Sequence, residues 1–579
     1  MSQSKFLLPV LGAVVVAAGG AGAYFYFSNT ANQTTTTVTT TAPVSVSVAS
    51  VVPREAILLV AINTDGKALD QLNQLASPEM KKLFDKPFAK VQKDLSNQEI
   101  DFARDIQPWA GGQVVFAVLP PSKPTAQNIP VYTPVSVQNG KQWRAAQAEV
   151  KPPATIPDFV IVAEVKDRAG AAKFIDTART KAGGAVKKSD YKGVEITIPE
   201  VGGDKAPLSA FVKDYLVISN KESSIQKVID TANGGAAIAE SLMSEGLDVQ
   251  NPLISFYAPN VAENAEALAA LIAQGEPTRT TSPSSILPQL KTMQNAGVVL
   301  GVDQQGIRIK GSAKYNLELV SADPKPSSNK LLSMLPSQTM GAITGMDIKD
   351  EWARFVKQAD QFPEVKEVIA QMRAAAKGEP LQVDLDKDVF GWMDGEYGIA
   401  AIPSSEGFLA QIGVGPVVMI QTSDRPAAEA LMKKLDGIAE QNLAKVSTRE
   451  VGGAQVTEWS DPAGQAVFLA HGWAQPDTLF VTAGPLVSAI LPKPSSTLDA
   501  DAGFKALIQP LITNGRGYFY LDMEKLWSLV QKQVPANAIE PEANTFFTAI
   551  QGISATYVLP DKNTARLDLL VSLKPKGGS

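Results

Sequence analysis

The sequence predicts an α+β fold, in which an N-terminal transmembrane helix precedes two tandem homologous domains with largely antiparallel sheets and packed helices. Two observations predict this fold. A short block around Asp105 and Trp109 reappears, at one constant separation, around Asp388 and Trp392. Short apolar strands are also mixed with helices and frequent hairpins, without strict βαβ alternation, which favours antiparallel sheets.

Length and composition limit the classes of protein that fit. A chain of 579 residues is too long for a single hydrophobic core. A net charge of −6 and a pI near 5.3 argue against a nucleic-acid surface. Cysteine is absent and His471 is the only histidine, which excludes thiolate chemistry and paired His or Cys metal ligands. The sequence therefore predicts no cofactor and no metal.

Residues 1–28 are predicted to form a transmembrane anchor. The stretch from Phe6 to Phe27 has no charged residue, and roughly 20 apolar residues cross a bilayer as a helix. Lys5 favours an N-terminus in the cytoplasm, with the bulk of the chain in the periplasm or thylakoid lumen. Ala21-Gly22-Ala23 resembles a small-residue cleavage site, so a cleaved signal peptide is the alternative. Both interpretations export the rest of the chain.

The remaining boundaries follow from composition and from the repeat. Residues 29–52 are rich in Thr and Ser and are predicted to form a flexible linker. The first repeat domain is placed at 53–325 and the second at 326–579, with a Pro/Ser-rich connector at residues 321–328. Each domain opens with an apolar strand and closes with a hairpin.

The first half contains an insertion that the second lacks. The separation between equivalent residues shortens after the Trp block, which places extra residues between Pro120 and Pro157. This segment is rich in proline and carries Trp143, flanked by Lys141 and Arg144. Such an insertion is either a neutral surface loop or a partner-binding loop, with Trp143 as the candidate contact.

The repeated block has a structural and a functional interpretation. In the structural one, Asp105 or Asp388 caps a short helical turn, the Trp packs inward, and the Gly leads into the next strand. In the functional one, each set lines a ligand site. A calcium loop does not fit, because the Gly and Glu that such a loop needs are absent. The block residues are Asp101, Asp105, Trp109, Gly112, Asp384, Asp388, Trp392 and Gly395.

The Asp-[Ile/Val]-x-x-Trp-x-x-Gly pattern resembles a known group of proteins. Placed before an apolar strand and behind an N-terminal apolar span, it is similar to a bacterial, mainly cyanobacterial, family catalogued only as a domain of unknown function. The resemblance covers most of residues 53–575 in two copies. It implies a membrane-anchored, exported protein and offers no catalytic residues.

Three functional hypotheses follow, and no catalytic residue is predicted. Walker A, GxGxxG, HExxH and GxSxG motifs are absent from the sequence. The leading hypothesis is a non-enzymatic, membrane-tethered extracytoplasmic binding or scaffold protein. It would contact the bilayer through the N-terminal helix and an envelope or thylakoid protein through its folded part. The alternatives are a carrier of a hydrophobic ligand or lipid, and a hydrolase using carboxylates or a Ser–Lys pair, Ser224 with Lys227 or Ser327 with Lys330.

Overall fold

The computed structural model describes residues 46–75, 102–120, 157–181, 184–200, 207–239, 246–273, 283–319, 326–360 and 363–574. Within these ranges one sheet of 20 strands runs through both halves of the chain. Every strand pairing in it is antiparallel.

The first repeat supplies half of the strands: β1 Leu58–Asn63, β2 Ala110–Val118, β3 Phe159–Val165, β4 Val186–Tyr191, β5 Val194–Pro199, β6 Leu208–Val212, β7 Tyr215–Ser219, β8 Asn251–Ala258, β9 Met293–Val302 and β10 Gly306–Tyr315. The second repeat supplies the others: β11 Gly341–Met346, β12 Glu396–Pro403, β13 Val414–Gln421, β14 Lys445–Val451, β15 Ala454–Ser460, β16 Val467–Gln475, β17 Thr478–Thr482, β18 Tyr518–Asp522, β19 Ile550–Val558 and β20 Thr564–Leu573.

The described α-helices are α1 Val46–Ala49, α2 Lys67–Leu75, α3 Arg168–Lys181, α4 Glu222–Ala232, α5 Ala265–Ala273, α6 Pro283–Leu290, α7 Ile348–Ala359, α8 Pro363–Lys377, α9 Arg425–Gln441, α10 Val487–Ile490, α11 Ala502–Ile508, α12 Met523–Gln533 and α13 Pro541–Ala549. Two π-helical turns, Phe102–Ile106 and Leu385–Val389, occupy the repeated block.

The second half repeats the strand pairing of the first. Hydrogen-bonded neighbours follow the order β4-β5-β6-β7-β3-β2-β1-β8-β9-β10 and, in the other half, β14-β15-β16-β17-β13-β12-β11-β18-β19-β20. The two series join where β10 pairs with β20, with Ile309 opposite Leu569. This pairing relates the repeats by an approximate twofold axis between β10 and β20.

The predicted fold class needs correction on two points. First, the prediction of a separate sheet for each domain is wrong, because β10 and β20 satisfy each other's backbone groups and merge the halves into one sheet. Second, the N-terminal transmembrane helix is not supported. No helix within the described ranges is long and apolar enough to span a membrane. Phe6 to Phe27 lie outside the described residues.

The described residues include the end of the segment predicted as a linker. Val48 and Val52 are completely buried and join the core on one face of the first-repeat strands, together with Leu59 and Val160. Val48 lies in the short helix α1, and Val52 follows after this helix ends at Ala49. The other predicted linker residues, 29–45, lie outside the described ranges.

A buried ion network holds the two repeats together beside the β10–β20 pairing. The guanidinium of Arg308 on β10 donates to both carboxylate oxygens of Asp568 on β20, with Nη2 2.6 Å from Oδ2. Asp303 contacts the same guanidinium, and the amide of Ile512 donates to Asp568. Arg308 and Asp568 are both buried.

The end of the predicted connector is anchored by a buried carboxylate. Glu396, at the start of β12, accepts hydrogen bonds from the hydroxyls of Ser327 and Ser328 and from the amides of Lys330 and Leu331. Ser327 and Ser328 are therefore held against β12 of the second repeat.

Candidate functional site

The two Trp residues of the repeated block occupy equivalent buried positions. Trp109 is 4% exposed and Trp392 is 1% exposed. Each indole Nε1 donates to the carbonyl four residues earlier, at 2.7 Å to Asp105 and 3.1 Å to Asp388. Trp109 packs against Phe174 of α3, and Trp392 lies in an apolar cluster with Met432 of α9. In both repeats the Trp thus joins the π-helical turn to the helix that follows β3 or β13.

The aspartates of the block make local contacts. Asp384, rather than Asp388, caps the π-helical turn by accepting from the amides of Asp386 and Lys387. Asp388 accepts from the amide of Asp384 at 2.8 Å. Asp105 forms an ion pair with Arg104 at 2.7 Å. Asp101 lies outside the described residues, as does Trp143.

The electrostatics of Asp384 do not suit acid catalysis. The amide of Lys387, followed by the ammonium of Lys377, holds the pKa of Asp384 below its usual range. A general acid acting near neutral pH needs a pKa raised toward neutrality. Asp384 therefore lacks the property that would make it the acid of a carboxylate hydrolase.

The two sequence-predicted Ser–Lys pairs are not nucleophile–base pairs. Lys227 lies 3.3 Å from Glu55, and Ser224 is buried on α4. The hydroxyl of Ser327 donates to Glu396, while Lys330 forms an ion pair with Asp477.

The sole histidine also has a structural environment. His471 Nε2 lies 2.8 Å from Oδ1 of Asp436 on α9, and the indole of Trp459 donates to the same oxygen. His471 is buried on β16 and directly faces Thr457 and Val481 across the sheet. The contact fixes α9 to the sheet.

The block glycines have one shared contact and different surroundings. The carbonyl of Gly112 accepts from the amide of Thr64, and that of Gly395 accepts from the amide of Asp347. A Cβ on Gly395 would lie 2.7 Å from Cβ and 2.8 Å from the carbonyl oxygen of Gln421, whereas one on Gly112 would meet nothing closer than 3.5 Å. Only the second copy therefore requires glycine for space.

We expect Gly395→Ala to lower the free energy of unfolding by about 1–3 kcal/mol, since backbone atoms of β13 must move to admit the methyl group. Gly112→Ala is the matched control and should be neutral or slightly stabilising, because its site has room. Chemical denaturation of both variants checks this. Equal losses at the two positions would show that space around Gly395 is not the cause.

A partly buried polar cluster distinguishes the second repeat from the first. It lies at the N-terminus of α7, and we call it the α7 polar cluster: Asp347, Asp350, Glu351, Arg354 and Arg516. Arg354 donates from Nε to Asp350 at 3.1 Å, but its Nη2 is buried without a hydrogen-bond partner among the described residues. Asp347 adopts a left-handed backbone with φ 61°, which is uncommon outside glycine.

The equivalent positions of the first repeat carry no such cluster. The spacing that equates Gly112 with Gly395 places Ala68 opposite Glu351 and Gln71 opposite Arg354. Ala68 packs in an apolar cluster with Leu72 and Val302. Because the first repeat folds without these charges, the architecture does not require them.

Helix α7 is also positioned differently from its counterpart α2. Helix α2 packs over β8, β9 and β10, whereas the main contacts of α7 are with α8 and the π-helical turn. Trp352 of α7 stacks on Phe390 with ring centroids 4.4 Å apart and donates to Asp386. Phe355, the counterpart of buried Leu72, is consequently exposed.

Burial of its carboxyl group raises the pKa of Glu351 to about 8, and Arg354 and Arg516 offset only part of this effect. The residue as a whole is partly exposed. The folded state binds this proton more tightly than the unfolded chain, where the pKa is near 4.5. Its stabilising contribution is therefore complete below about pH 4.5 and is lost as pH rises toward about 8.

Glu351→Gln should accordingly melt like the parent protein near pH 4.5 and at a higher temperature than the parent near pH 9, because the amide never ionises. Thermal denaturation at both pH values measures this. Glu367→Gln, on the exposed side of α8, controls for the loss of one carboxylate. A Glu351→Gln effect that is independent of pH would contradict the assignment.

An apolar row on the sheet is partly uncovered in the second repeat. Ile343 on β11 pairs with Ile399 on β12, which pairs with Val418 on β13 and then with Val481 on β17. We call these four residues the second-repeat strip. Ile343 and Ile399 are each 48% exposed. Their first-repeat counterparts pair in the same way, but Val60 is only 1% exposed.

The difference follows from where the helices pack. In the first repeat, Leu268 and Leu271 of α5 lie in one apolar cluster with Val60, and Phe116 packs against that cluster. In the second repeat, Met523 at the start of α12 clusters instead with Leu72 of α2, at the junction of the halves. The helix that would correspond to α5 therefore packs at the junction. Ile343 and Ile399 stay about half exposed, whereas Val418 and Val481 pack against the cluster around Trp392.

A small cavity lies between α3 and the edge strands of the first repeat. Its volume is about 100 Å³, and it is lined mainly by apolar side chains, including Ile175, Ala178, Pro199 and Ile218. Ligand pockets usually measure roughly 300–1,000 Å³. This cavity is too small to hold a lipid.

The fold and the strip define a duplicated, all-antiparallel sheet protein with helices packed on it and an uncovered apolar surface in one copy. The chain belongs to the family described as "Protein of unknown function (DUF3352)", whose profile matches residues 10–573. This confirms the predicted membership of a family without an assigned function, while its cyanobacterial distribution stays a prediction.

Other comparisons add little. No curated protein is significantly similar to the chain. Among solved structures, crystal form I of TP0453 is 11% identical, covers 48% of this chain and 81% of that chain, and gives a TM-score of 0.22. Crystal form IV is 10% identical, covers 46% and 79%, and gives 0.23. Scores of this size carry no conclusion about fold or function.

Sequence reasoning found the block but missed the strip and the α7 polar cluster. A signal for the cluster was present, because Glu351 and Arg354 replace Ala68 and Gln71 within an otherwise matching helix. No signal marked the strip, since Val60 and Ile343 fit the same strand pattern. Their different exposure depends on distant helices.

Proposed function

We propose that the chain is a non-enzymatic extracytoplasmic binding protein that binds its partner or ligand at the second-repeat strip. The observation that carries this proposal is the near-half exposure of Ile343 and Ile399, side by side, at positions that are covered in the first repeat. Exposed contiguous apolar surface on a soluble fold marks interaction sites. Folding alone does not call for the exposure of Ile343, because its counterpart Val60 is buried in the first repeat.

Two further observations support the proposal. The described carboxylates of the repeated block, both lysines of the Ser–Lys pairs, Ser327 and His471 make structural contacts, while Asp101 lies outside the described residues. Phe6 to Phe27, preceded by Lys5, have the composition of an export signal. Recovery of the chain in a soluble cytoplasmic fraction would contradict the extracytoplasmic location.

Binding at the strip is tested with Nile red, an uncharged dye that fluoresces on apolar surfaces. The full chain should enhance its fluorescence, and the double variant Ile343→Ser/Ile399→Ser should lose most of that enhancement while melting at nearly the same temperature, since both side chains are largely exposed. Ile412→Ser/Leu443→Ser is the matched control, because both residues are exposed and lie outside the strip. Equal fluorescence from all three proteins would overturn the proposal.

A further inference from the structure

The second repeat departs from the first in two features that are neighbours along the chain, one on β11 and one at the segment that leads into α7. Ile343 lies on β11, and Asp347 of the α7 polar cluster follows four residues later. At roughly 3.3 Å per residue the two are at most about 13 Å apart, which a single acyl chain can span. Ile343 thus lies near Asp347 of the α7 polar cluster, and in that cluster Nη2 of Arg354 is buried without a hydrogen-bond partner among the described residues.

We propose that the second-repeat strip and the α7 polar cluster together bind an amphiphile, with its acyl chain on Ile343 and Ile399 and its anionic oxygen group on the guanidinium of Arg354. The proposal rests on the binding function assigned to the strip and adds the class of ligand. Arginine nitrogens donate strong, charge-assisted hydrogen bonds to carboxylates and phosphates.

The charges of the cluster are arranged so that Arg354 can accept such a ligand. Asp350 occupies only its Nε side. Arg516 adds a second buried positive charge that interacts with Asp347 and Glu351. Glu351 is largely uncharged at neutral pH, because burial raises its pKa to about 8. Burial also raises the pKa of Asp347, and Nη2 of Arg354 has no hydrogen-bond partner among the described residues.

Competition against Nile red on the full chain tests this ligand class at neutral pH. The competitors share a twelve-carbon chain and differ in their polar end: dodecanoate, dodecyl phosphate and dodecylammonium, all below their micelle concentrations. The two anions represent a fatty acid and a phosphorylated lipid. At least one should displace the dye at a concentration about tenfold lower than the ammonium compound, as expected for one charge-assisted hydrogen bond.

Substitutions of Arg354 test whether this side chain causes the preference for anionic competitors. Arg354→Gln should weaken the preferred anion about tenfold and leave dodecylammonium unchanged. Arg354→Lys, which keeps the charge, should retain part of the preference. Arg449→Gln, on edge strand β14, is the control and should behave like the parent. Melting curves identify any variant that has not folded. If a variant fails to fold, the comparison of the three competitors on the parent protein still tests whether the site prefers anions.

The outcomes separate this inference from the proposed function. Equal displacement by anions and ammonium, or an anion preference that survives Arg354→Gln, would overturn the amphiphile site while the strip still binds dye. Dye binding that no competitor displaces would also overturn the amphiphile site. Failure of the parent protein to bind Nile red would remove the proposed function itself.

Discussion

Replacing Asp568 by alanine should lower the free energy of unfolding by about 3–5 kcal/mol, because it leaves the buried guanidinium of Arg308 without its main partner. Asp568 is fully buried on β20, and its Oδ2 also accepts from the amide of Ile512 at 2.9 Å. This loss of unfolding free energy should exceed that of a comparable substitution away from the junction of the two repeats. Denaturant unfolding, followed by tryptophan fluorescence, measures it.

Two comparisons test the cause of that loss. Asp248→Ala removes an exposed carboxylate that pairs with Lys310, the β10 residue opposite Asp568, and should cost at most about 1 kcal/mol. The double variant Arg308→Met/Asp568→Leu should recover most of the stability, since no buried charge is left unpaired. If Asp568→Ala costs no more than Asp248→Ala, the buried network does not hold the repeats together.

Trp392→Ala should be comparably severe, at about 3–5 kcal/mol, because it removes one of the largest fully buried side chains and leaves a cavity beneath α9. The carbonyl of Asp388 also loses the indole hydrogen bond. Chemical denaturation measures the loss.

Trp392→Phe is the control for Trp392→Ala. It keeps most of the ring packing and gives up the hydrogen bond, which contributes about 1 kcal/mol. Its loss should therefore be clearly smaller than that of the alanine variant. Equal losses would mean that the hydrogen bond, rather than packing, fixes the π-helical turn to α9.

Much of the strand inventory could be predicted from the sequence. Alternating apolar residues mark the hairpins that became β9–β10 and β19–β20 around Asp303 and Asp561. The union of the two sheets could not be predicted in the same way. Backbone groups make the contact between β10 and β20. No local sequence pattern predicts which strand will pair with the edge of a hairpin.

The same dependence on contacts between distant residues explains why the sequence indicated the repeated block but not the second-repeat strip. The block was visible because the fold uses it twice, and it proved to join the π-helical turns to α3 and α9. The exposure of Ile343 arises because α12 packs with Leu72 at the junction, a contact between residues far apart in sequence. The periodicity of apolar residues predicts which side chains can be buried. It does not predict which of two equivalent rows remains exposed.

Val60 of the first repeat is buried, whereas its counterpart Ile343 in the second repeat is 48% exposed. Because the chain contains no cysteine, Val60→Cys and Ile343→Cys each introduce a single reactive thiol. Rates of modification by a thiol reagent then compare the two rows directly. Ile343→Cys should react at nearly the rate of the unfolded chain, and Val60→Cys far more slowly, since its thiol is reached only by local opening. Similar rates of modification at the two positions would show that Ile343 is no more accessible than Val60.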